Sequence, residues 1–392
     1  MKYTFLSIFL IILMASCASD KNKSNSKSYS SIKEYIQSKE SATTSETFPF
    51  AFLKETTLPS FSAINEDKGF SFQKVIGNYA YMVNNEKFKV LKYNLQSEQS
   101  TETFSFPEVS SILSAKPSSC VVLNENQFLW HNDSTILLIC NSLGQIENSI
   151  QLPLVFNNKN FQISSNPKSA IQFESQSKTL VFPIQCAEDY NSKDEYTLPK
   201  FASYNLKTSK TEFIPISLPL NYSDEFYLPL LYDAATCMEG QTFYALFPLS
   251  SEVYSYDLLS KQLSKISIQI PVNLTDAQTL TQPTDPRQIM EIVHKCSHLS
   301  GFSVIKGIFY IQQTGAFSDN LESKKFTDNS LLCSYNSSGS LIWGGQMPIQ
   351  TFDNKIFNLT NASNSALNFT SYYALKSEKG DERYLSSFNP EF

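Results

Sequence analysis

The chain has 392 residues, of which 17% are charged and 41% hydrophobic, and its formal net charge is −6. Residues 1–44 hold six lysines against Asp20, Glu34 and Glu40, a net charge of +3, so the remaining body carries −6 − 3 = −9. An acidic body without a basic stripe argues against a nucleic acid as partner. The length also makes a disulfide framework unnecessary.

The N-terminus has the pattern of an export signal. Lys2 precedes an apolar stretch from Phe5 to Met14, which is too short for a stable transmembrane helix. Met14-Ala15-Ser16-Cys17 follows and resembles the lipobox of bacterial lipoproteins, although Met14 replaces the usual leucine. The resemblance implies a signal peptide over 1–16 and a lipidated Cys17 at the new N-terminus. A plain secretory signal with an incidental cysteine is the alternative.

Residues 17–44 are rich in Ser, Lys and Asn and contain few residues to bury. This composition predicts a flexible tether, with the propeller domain described below over 45–392. Ile32 to Gln37 could form a turn of helix, but no cap or apolar face indicates more. The lysines of the tether are placed to interact with anionic lipid, at about 1 kcal/mol each.

Six cysteines follow Cys17, at irregular spacing. Cys140 ends the apolar run Ile136–Ile139, and Cys333 follows Leu331-Leu332. Both have the context of small buried hydrophobic residues. We expect few or no disulfides.

A short sequence pattern occurs five times between residues 93 and 348. Each copy has an apolar or aromatic residue, then Asn or Asp, a polar turn, an alternating apolar run and a closing proline. Such a repeat indicates an antiparallel hairpin used once per unit of a β-propeller. We interpret the Asn or Asp as capping its own turn and the preceding residue as packing between units. The copies are Tyr93-Asn94 to Pro107, Cys140-Asn141 to Pro153, Tyr204-Asn205 to Pro219, Tyr256-Asp257 to Pro271, and Tyr335-Asn336 to Pro348.

A second set of hairpins lies between these copies, each with a turn signal at its centre. Each inner hairpin precedes one outer hairpin, which gives four strands per unit. The 30 Phe and 20 Tyr against 11 Gly suit the packing of bulky faces between units. The inner hairpins are Phe72 to Asn84, Ser119 to His131, Ile171 to Ile184, Ala235 to Pro248, and Phe302 to Gln313.

A sixth unit, Ala366 to Phe388, is one strand short. Ser45 to Phe50 echoes the outer strand Thr101 to Phe106, so we predict that an N-terminal strand over 45–52 completes the last blade and closes the ring. The predicted fold is therefore an all-β, six-bladed β-propeller. Seven blades, with extra strands in 271–300, is the alternative. Asp285-Pro286 additionally predicts a short helix over 286–297.

Strand order places the links between second and third strands, and the links between units, on one face, which we call the long-loop face. Its long loops include 186–197, 271–300 and 315–329, and such loops commonly carry binding sites. The candidate ligand-binding residues are acidic, although their spacing does not match a calcium loop and a solvated acidic loop is the alternative. They are Glu188, Asp189, Asp194, Glu195, Asp224 and Glu225.

All three histidines map to the long-loop face. His294 and His298 would share a side of either a helix or a strand, and His131 ends a second strand. Together they are a candidate site for a divalent metal, the one cofactor that the sequence suggests. Solvated or hydrogen-bonding histidines are the alternative, since no HExxH motif, nucleophile elbow or phosphate loop accompanies them.

The lipobox, the Ser/Lys-rich tether and the five repeats together resemble the uncharacterised propeller lipoproteins of Bacteroidota. The resemblance covers essentially the whole chain and implies an exported six-bladed propeller without an assigned activity. Asp20 stands alone among lysines, whereas surface-displayed relatives have an acidic run there, so we expect the periplasmic side of the outer membrane. We expect a monomeric propeller that binds a peptide, glycan or protein through the long-loop face. A metal-dependent hydrolase or lyase with its site at the channel mouth is the alternative.

Overall fold

A computed structural model provides the coordinates of the chain. The described residues are 28–40, 50–58, 70–113, 118–132, 134–164, 170–187, 196–220, 222, 231–276, 280, 292–293, 295–315, 330–346, 355–363, 366–373 and 383–390. Within them the chain is almost entirely β-structure. Two helices occur, α1 (Ile32–Glu40) and α2 (Pro107–Leu113).

The strands are short and follow one another through tight turns. Those of the first half are β1 (Phe50–Leu58), β2 (Ser71–Ile76), β3 (Tyr79–Asn84), β4 (Lys89–Asn94), β5 (Gln99–Ser105), β6 (Ser118–Asn124), β7 (Gln127–Asn132), β8 (Ile136–Asn141), β9 (Ile146–Gln151), β10 (Val155–Phe156), β11 (Lys159–Ile163), β12 (Gln172–Glu174) and β13 (Thr179–Cys186). Those of the second half are β14 (Phe201–Asn205), β15 (Lys210–Ile214), β16 (Ala235–Glu239), β17 (Thr242–Leu246), β18 (Glu252–Asp257), β19 (Leu263–Ser267), β20 (His298–Ile305), β21 (Ile308–Thr314), β22 (Ser330–Tyr335), β23 (Leu341–Gly345), β24 (Lys355–Ser363), β25 (Ala366–Tyr373) and β26 (Arg383–Pro390).

Five antiparallel sheets follow in chain order and form a propeller-like, all-β arrangement. Four of them have the simple orders β2-β3-β4-β5, β6-β7-β8-β9, β16-β17-β18-β19 and β20-β21-β22-β23. The third sheet has the order β10-β11-β13-β14-β15, and its inner edge is divided because β11 and β12 both pair with β13. The predicted inner and outer hairpins are confirmed in all five sheets.

A sixth sheet joins the two ends of the chain in the order β1-β26-β25-β24. Its N-terminal strand is described over 50–58, where Phe50 pairs with Pro390, and it overlaps the predicted 45–52 at residues 50–52. Residues 45–49 lie outside the described part of the chain. Strand β24, which forms the inner edge of this sheet, was not predicted from the sequence. Most of 277–291, where the seven-bladed alternative needs strands and where the 286–297 helix was predicted, is likewise not described.

The repeated Asn or Asp caps its turn as predicted. In every copy the side-chain oxygen Oδ1 accepts hydrogen bonds from two backbone N–H groups of the turn, at 2.6 to 3.1 Å. A residue with positive φ follows within the same turn in each copy. These residues are Glu98, Gly144, Ser209, Lys261 and Gly339.

The core is divided into layers between neighbouring sheets. One cluster joins the first two sheets and includes Phe106 and Trp130, whose ring centroids lie 5.3 Å apart. Corresponding clusters join the second to the third sheet, the third to the fourth and the fourth to the fifth. Two more join the sixth sheet to the fifth and to the first. The residue before each repeated Asn or Asp lies in one of these layers, as predicted.

All six described cysteines are buried and unpaired with each other. Burial raises the pKa of the Cys140 thiol to about 12. Such thiols behave as small apolar side chains. No helix in the described ranges is both long and apolar enough to cross a membrane.

Residues 28–40 pack against the sheets, although the sequence analysis placed them in a flexible tether. The Ser31 hydroxyl accepts a hydrogen bond from the Glu34 N–H, as an N-cap does, and α1 follows. Ile32 and Tyr35 are buried in the layer between the fourth and fifth sheets. Tyr35 also donates a hydrogen bond to the Gly344 carbonyl, at 3.2 Å. Residues 1–27, which include the predicted signal peptide and Cys17, lie outside the described residues.

Candidate functional site

A groove of about 740 Å³ opens on the long-loop face beside the fourth sheet. Three connections line it, and each is of the kind that the strand order assigns to that face. They are the link after β15 (219–220), the turn between β17 and β18 (249–252) and the link after β19 (268–276). The long-loop face therefore carries a concave surface of ligand-binding size.

The walls of the groove are held by buried hydrogen bonds. The Tyr222 hydroxyl donates to the Leu231 carbonyl at 2.8 Å and accepts from the Leu249 N–H at 3.1 Å. This bidentate use of one hydroxyl fixes the 249–252 turn to the preceding link. Ile268 N–H donates to the Ser251 carbonyl at 2.8 Å and holds the third wall in place. The groove is thus supported by the core and is largely pre-formed.

The lining combines apolar side chains with a charged rim. Leu220 is 97% exposed, so its side chain is available for contact. Across the groove, Glu252 forms an ion pair with Lys265 at 3.6 Å and accepts a hydrogen bond from the Tyr254 hydroxyl at 3.2 Å. Burial, and secondarily the charge of Glu252, raises the pKa of Tyr254. Tyr254 therefore stays a neutral donor at physiological pH.

The chain's own N-terminal segment already lies along one edge of this groove. Tyr29 N–H donates to the Pro271 carbonyl, and Asn273 N–H donates to the Tyr29 carbonyl, both at 3.0 Å. Tyr29 and Val272 thus form a parallel β-bridge, and the Ser28 hydroxyl also contacts the Asn273 side chain. The Pro271 carbonyl and the Asn273 N–H of the 271–273 link are therefore already paired with the chain's own extended segment.

The predicted acidic residues cannot be compared with this groove. Loop 188–195, which contains Glu188, Asp189, Asp194 and Glu195, lies outside the described residues, as does the Asp224-Glu225 pair. The groove is nevertheless lined by two of the segments that the sequence analysis placed on the long-loop face, the start of 271–300 and the link that leads towards 224.

Two of the three histidines can be located. His131 is at the end of β7 in the second sheet, and His298 is at the start of β20 in the fifth, and both are buried. The His298 Nδ1 atom lies 3.1 Å from the Cys296 carbonyl oxygen. Among the described residues, which exclude His294, no three His, Cys, Asp or Glu side chains are close enough to hold a metal ion.

Sequence reasoning missed Leu220, which lines the groove, and Tyr222, which holds two of its walls together. Leu220 directly follows a closing proline, and an apolar residue at the start of a link on this face was the available signal. Tyr222 had no signal, because its two hydrogen-bond partners, Leu231 and Leu249, are brought to it only by folding.

Comparisons with known proteins identify the fold and no activity. No protein-family profile matches the chain, and no curated protein matches it. The chain is similar to a crystal structure of a DUF4221 family member from Bacteroides vulgatus, with a TM-score of 0.60, 11% identity, and coverage of 87% of this chain and 97% of that one. It is also similar to a protein of Bacteroides fragilis named for its inferred export, with a TM-score of 0.52, 10% identity, and coverage of 88% and 96%. Both likenesses support the propeller-like fold.

Proposed function

We propose that the six sheets are the blades of one closed propeller. The antiparallel pairing of β1 with β26 supports this arrangement, because it gives the last sheet its fourth strand. Each pair of neighbouring sheets also shares a core layer, including the sixth sheet with the first. A closed ring leaves each blade only a short outer edge, which limits pairing with strands of other chains.

We propose that this propeller is an envelope lipoprotein, anchored through lipid at Cys17 to the outer membrane and facing the periplasm. The lipobox-like sequence at 14–17 supports the anchor. Substituting Cys17→Ser should move the protein from the membrane fraction to the soluble periplasmic fraction. Incorporation of labelled palmitate into the wild type and not into C17S is the direct assay, and equal labelling of both would reject the anchor.

We propose that the groove on the long-loop face binds an extended peptide segment of a partner protein. The observation that carries this proposal is the concave surface lined by exposed and half-buried apolar side chains beside the bridge between Tyr29 and Val272. Tyr29 occupies the Pro271 carbonyl and the Asn273 N–H, so a bound peptide would lie beside this segment and be held mainly by side-chain contacts. Leu220 and the half-buried Ile270 and Leu274 supply apolar contacts for alternate peptide side chains.

A selection from a random peptide library, followed by affinity measurement, tests this proposal. Peptides selected on the full-length protein should lose at least about tenfold in affinity when Leu220 is changed to Glu, since one buried apolar anchor contributes about 1.4 kcal/mol or more. Leu259→Glu is the matched control. Leu259 is 69% exposed in the turn between β18 and β19, at the opposite end of the same sheet.

The two substitutions separate the groove from the rest of the surface. Retained binding in L259E together with lost binding in L220E supports the groove. If selected peptides bind L220E and the wild type equally, or if no peptide binds the wild type, the groove is not a peptide site.

A further inference from the structure

The third wall of the groove, residues 268–276, is shared with the docked N-terminal segment, residues 28–40. Three side chains belong both to the lining of the groove and to the core layer between the fourth and fifth sheets. They are Ile268, Ile270 and Leu274. The same layer contains Ile32 and Tyr35 of α1, which are buried there. Because a close-packed layer transmits strain, the N-terminal segment and the groove act on the same stretch of chain.

The N-terminal segment supplies the main-chain hydrogen bonds at the centre of the third wall. Within the described chain, residues 270–274 form two backbone–backbone hydrogen bonds, and both belong to the bridge between Tyr29 and Val272. The ends of the wall, at Ile268 and Thr275, are instead bonded to residues next to strands of the fourth and fifth sheets. The centre of the wall therefore depends on the N-terminal segment in a way that its ends do not.

One contact from the propeller body reaches the same central residues. The buried Gln313 side chain donates through Nε2 to the Val272 carbonyl, at 2.6 Å. Among the described residues, no other hydrogen bond joins 270–274 to the body. If the N-terminal segment were released, Gln313 would be the remaining hydrogen-bonding partner of this part of the wall.

The bridge is joined to α1 through two aromatic rings. Tyr29 and Tyr35 pack edge to face, with their ring centroids 5.3 Å apart. The Tyr35 hydroxyl in turn donates to the Gly344 carbonyl on β23. A helix of nine residues is not stable alone in water, so α1 depends on docking to form. Release of α1 would therefore take the Tyr29 bridge with it.

We propose that the N-terminal segment is a latch that controls peptide binding in the groove, an inference that rests on the proposed function. When the segment is docked, it holds the third wall in the shape that contacts the peptide. When it is released, Ile270 and Leu274 lose their support and the groove loses these contacts. The coupling is reciprocal, so a bound peptide stabilises the docked segment by the same factor by which release weakens peptide binding.

Hydrogen–deuterium exchange of the full-length protein tests the effect of the latch on the wall. The double variant I32D/Y35A places a charge in a buried position and removes a buried ring, and neither side chain lines the groove. Amides of 268–275 should exchange about tenfold faster or more, within the usual range of coupling between two sites. The 249–252 turn should keep its protection, because Tyr222 holds it. Lys33→Ala, at an exposed position of α1, is the control.

Gly344→Ala releases the latch from the opposite side. A β-carbon at 344 would lie 2.8 Å from the Tyr35 hydroxyl, whereas the backbone of Gly344 has no positive φ that would disfavour alanine. G344A should therefore speed exchange in 268–275 of the wild type. It should have much less effect in the Y35A background, where the overlapping hydroxyl is absent. An equal effect in both backgrounds would indicate damage to the fifth sheet and count against the latch.

Affinity for the peptides selected on the wild type tests the coupling itself. I32D/Y35A should bind them about tenfold more weakly or worse, and K33A as tightly as the wild type. Saturating peptide should slow exchange in α1 of the wild type by the same factor, and should not do so in L220E. Equal or tighter binding by I32D/Y35A, with binding by the wild type intact, overturns the latch and leaves the peptide site standing. Absence of peptide binding by the wild type overturns both.

Discussion

The docking of α1 on the fourth and fifth sheets leads to a quantitative prediction for Tyr35→Ala. Tyr35 is 4% exposed, and its hydroxyl donates to the Gly344 carbonyl. Truncating a buried aromatic side chain to alanine costs about 3–5 kcal/mol, of which the hydrogen bond contributes about 1 kcal/mol. A helix of nine residues is not stable alone in water, so the loss should appear as local opening of 28–40 rather than as global unfolding.

Hydrogen–deuterium exchange with mass spectrometry measures this opening. A loss of 3 kcal/mol corresponds to roughly 100-fold faster exchange in α1, since each 1.4 kcal/mol is a factor of ten. Amides of β21 and β22 should keep their protection. Lys33→Ala is the control, because Lys33 is exposed on the same helix. Unchanged exchange in α1, or an equal loss of protection throughout the fifth sheet, would refute the view that Tyr35 holds a separable segment.

Three further predictions concern the repeat and the core. The backbone N–H and the hydroxyl of Ser260 donate to Asp257 and lower the pKa of its carboxyl group. The charged carboxylate therefore stabilises its turn above pH about 4, and this stabilisation is lost as the pH falls through the lowered pKa. The Tm of D257N should accordingly depend less on pH below about 4 than the Tm of the wild type. Gly144→Ala should lower Tm more than Gly77→Ala, because both have positive φ but a β-carbon at 144 would also overlap the Ser105 carbonyl, and equal losses would contradict this. The Cys140 thiol should not react with Ellman's reagent at pH 8 until the protein unfolds, because burial keeps it protonated and out of reach of the reagent. Reaction at the rate of a free thiol would show that the core layer between the first two sheets opens readily.

The sequence predicted the parts of the fold that depend on local chemistry. Each Asn or Asp of the repeat needs only the next few residues to cap its turn, so Asn94 and Asn336 could be interpreted without knowledge of the fold. Strand β24 was missed for the opposite reason. The sixth sheet is assembled from both chain ends, and it therefore lacks the repeat from which the other strands were assigned.

The misassignment of 28–40 has a similar cause. Ser31 and Glu34 have the spacing of an N-terminal capping box, and Ile32 and Tyr35 are three apart, as on one face of a helix. This signal is short, and it lies in a segment whose composition is otherwise that of a tether. What stabilises the helix is a partner more than 300 positions away, Gly344, whose missing side chain leaves room for the Tyr35 hydroxyl. Such a partner cannot be identified from local sequence.

The position of the docked segment determines how a lipid anchor would orient the propeller. Ser28 and Tyr29 lie beside the groove on the long-loop face, so residues 18–27 are the whole connection between a lipidated Cys17 and the body. At full extension they reach at most roughly 40 Å. If Cys17 is lipidated as proposed, this connection keeps the N-terminal edge of the long-loop face within reach of the membrane surface. The proposed peptide partner would then meet the groove close to the membrane. A flexible insertion between Cys17 and Ser28 should therefore change access to the groove in cells and leave the peptide affinity of the purified protein unaltered.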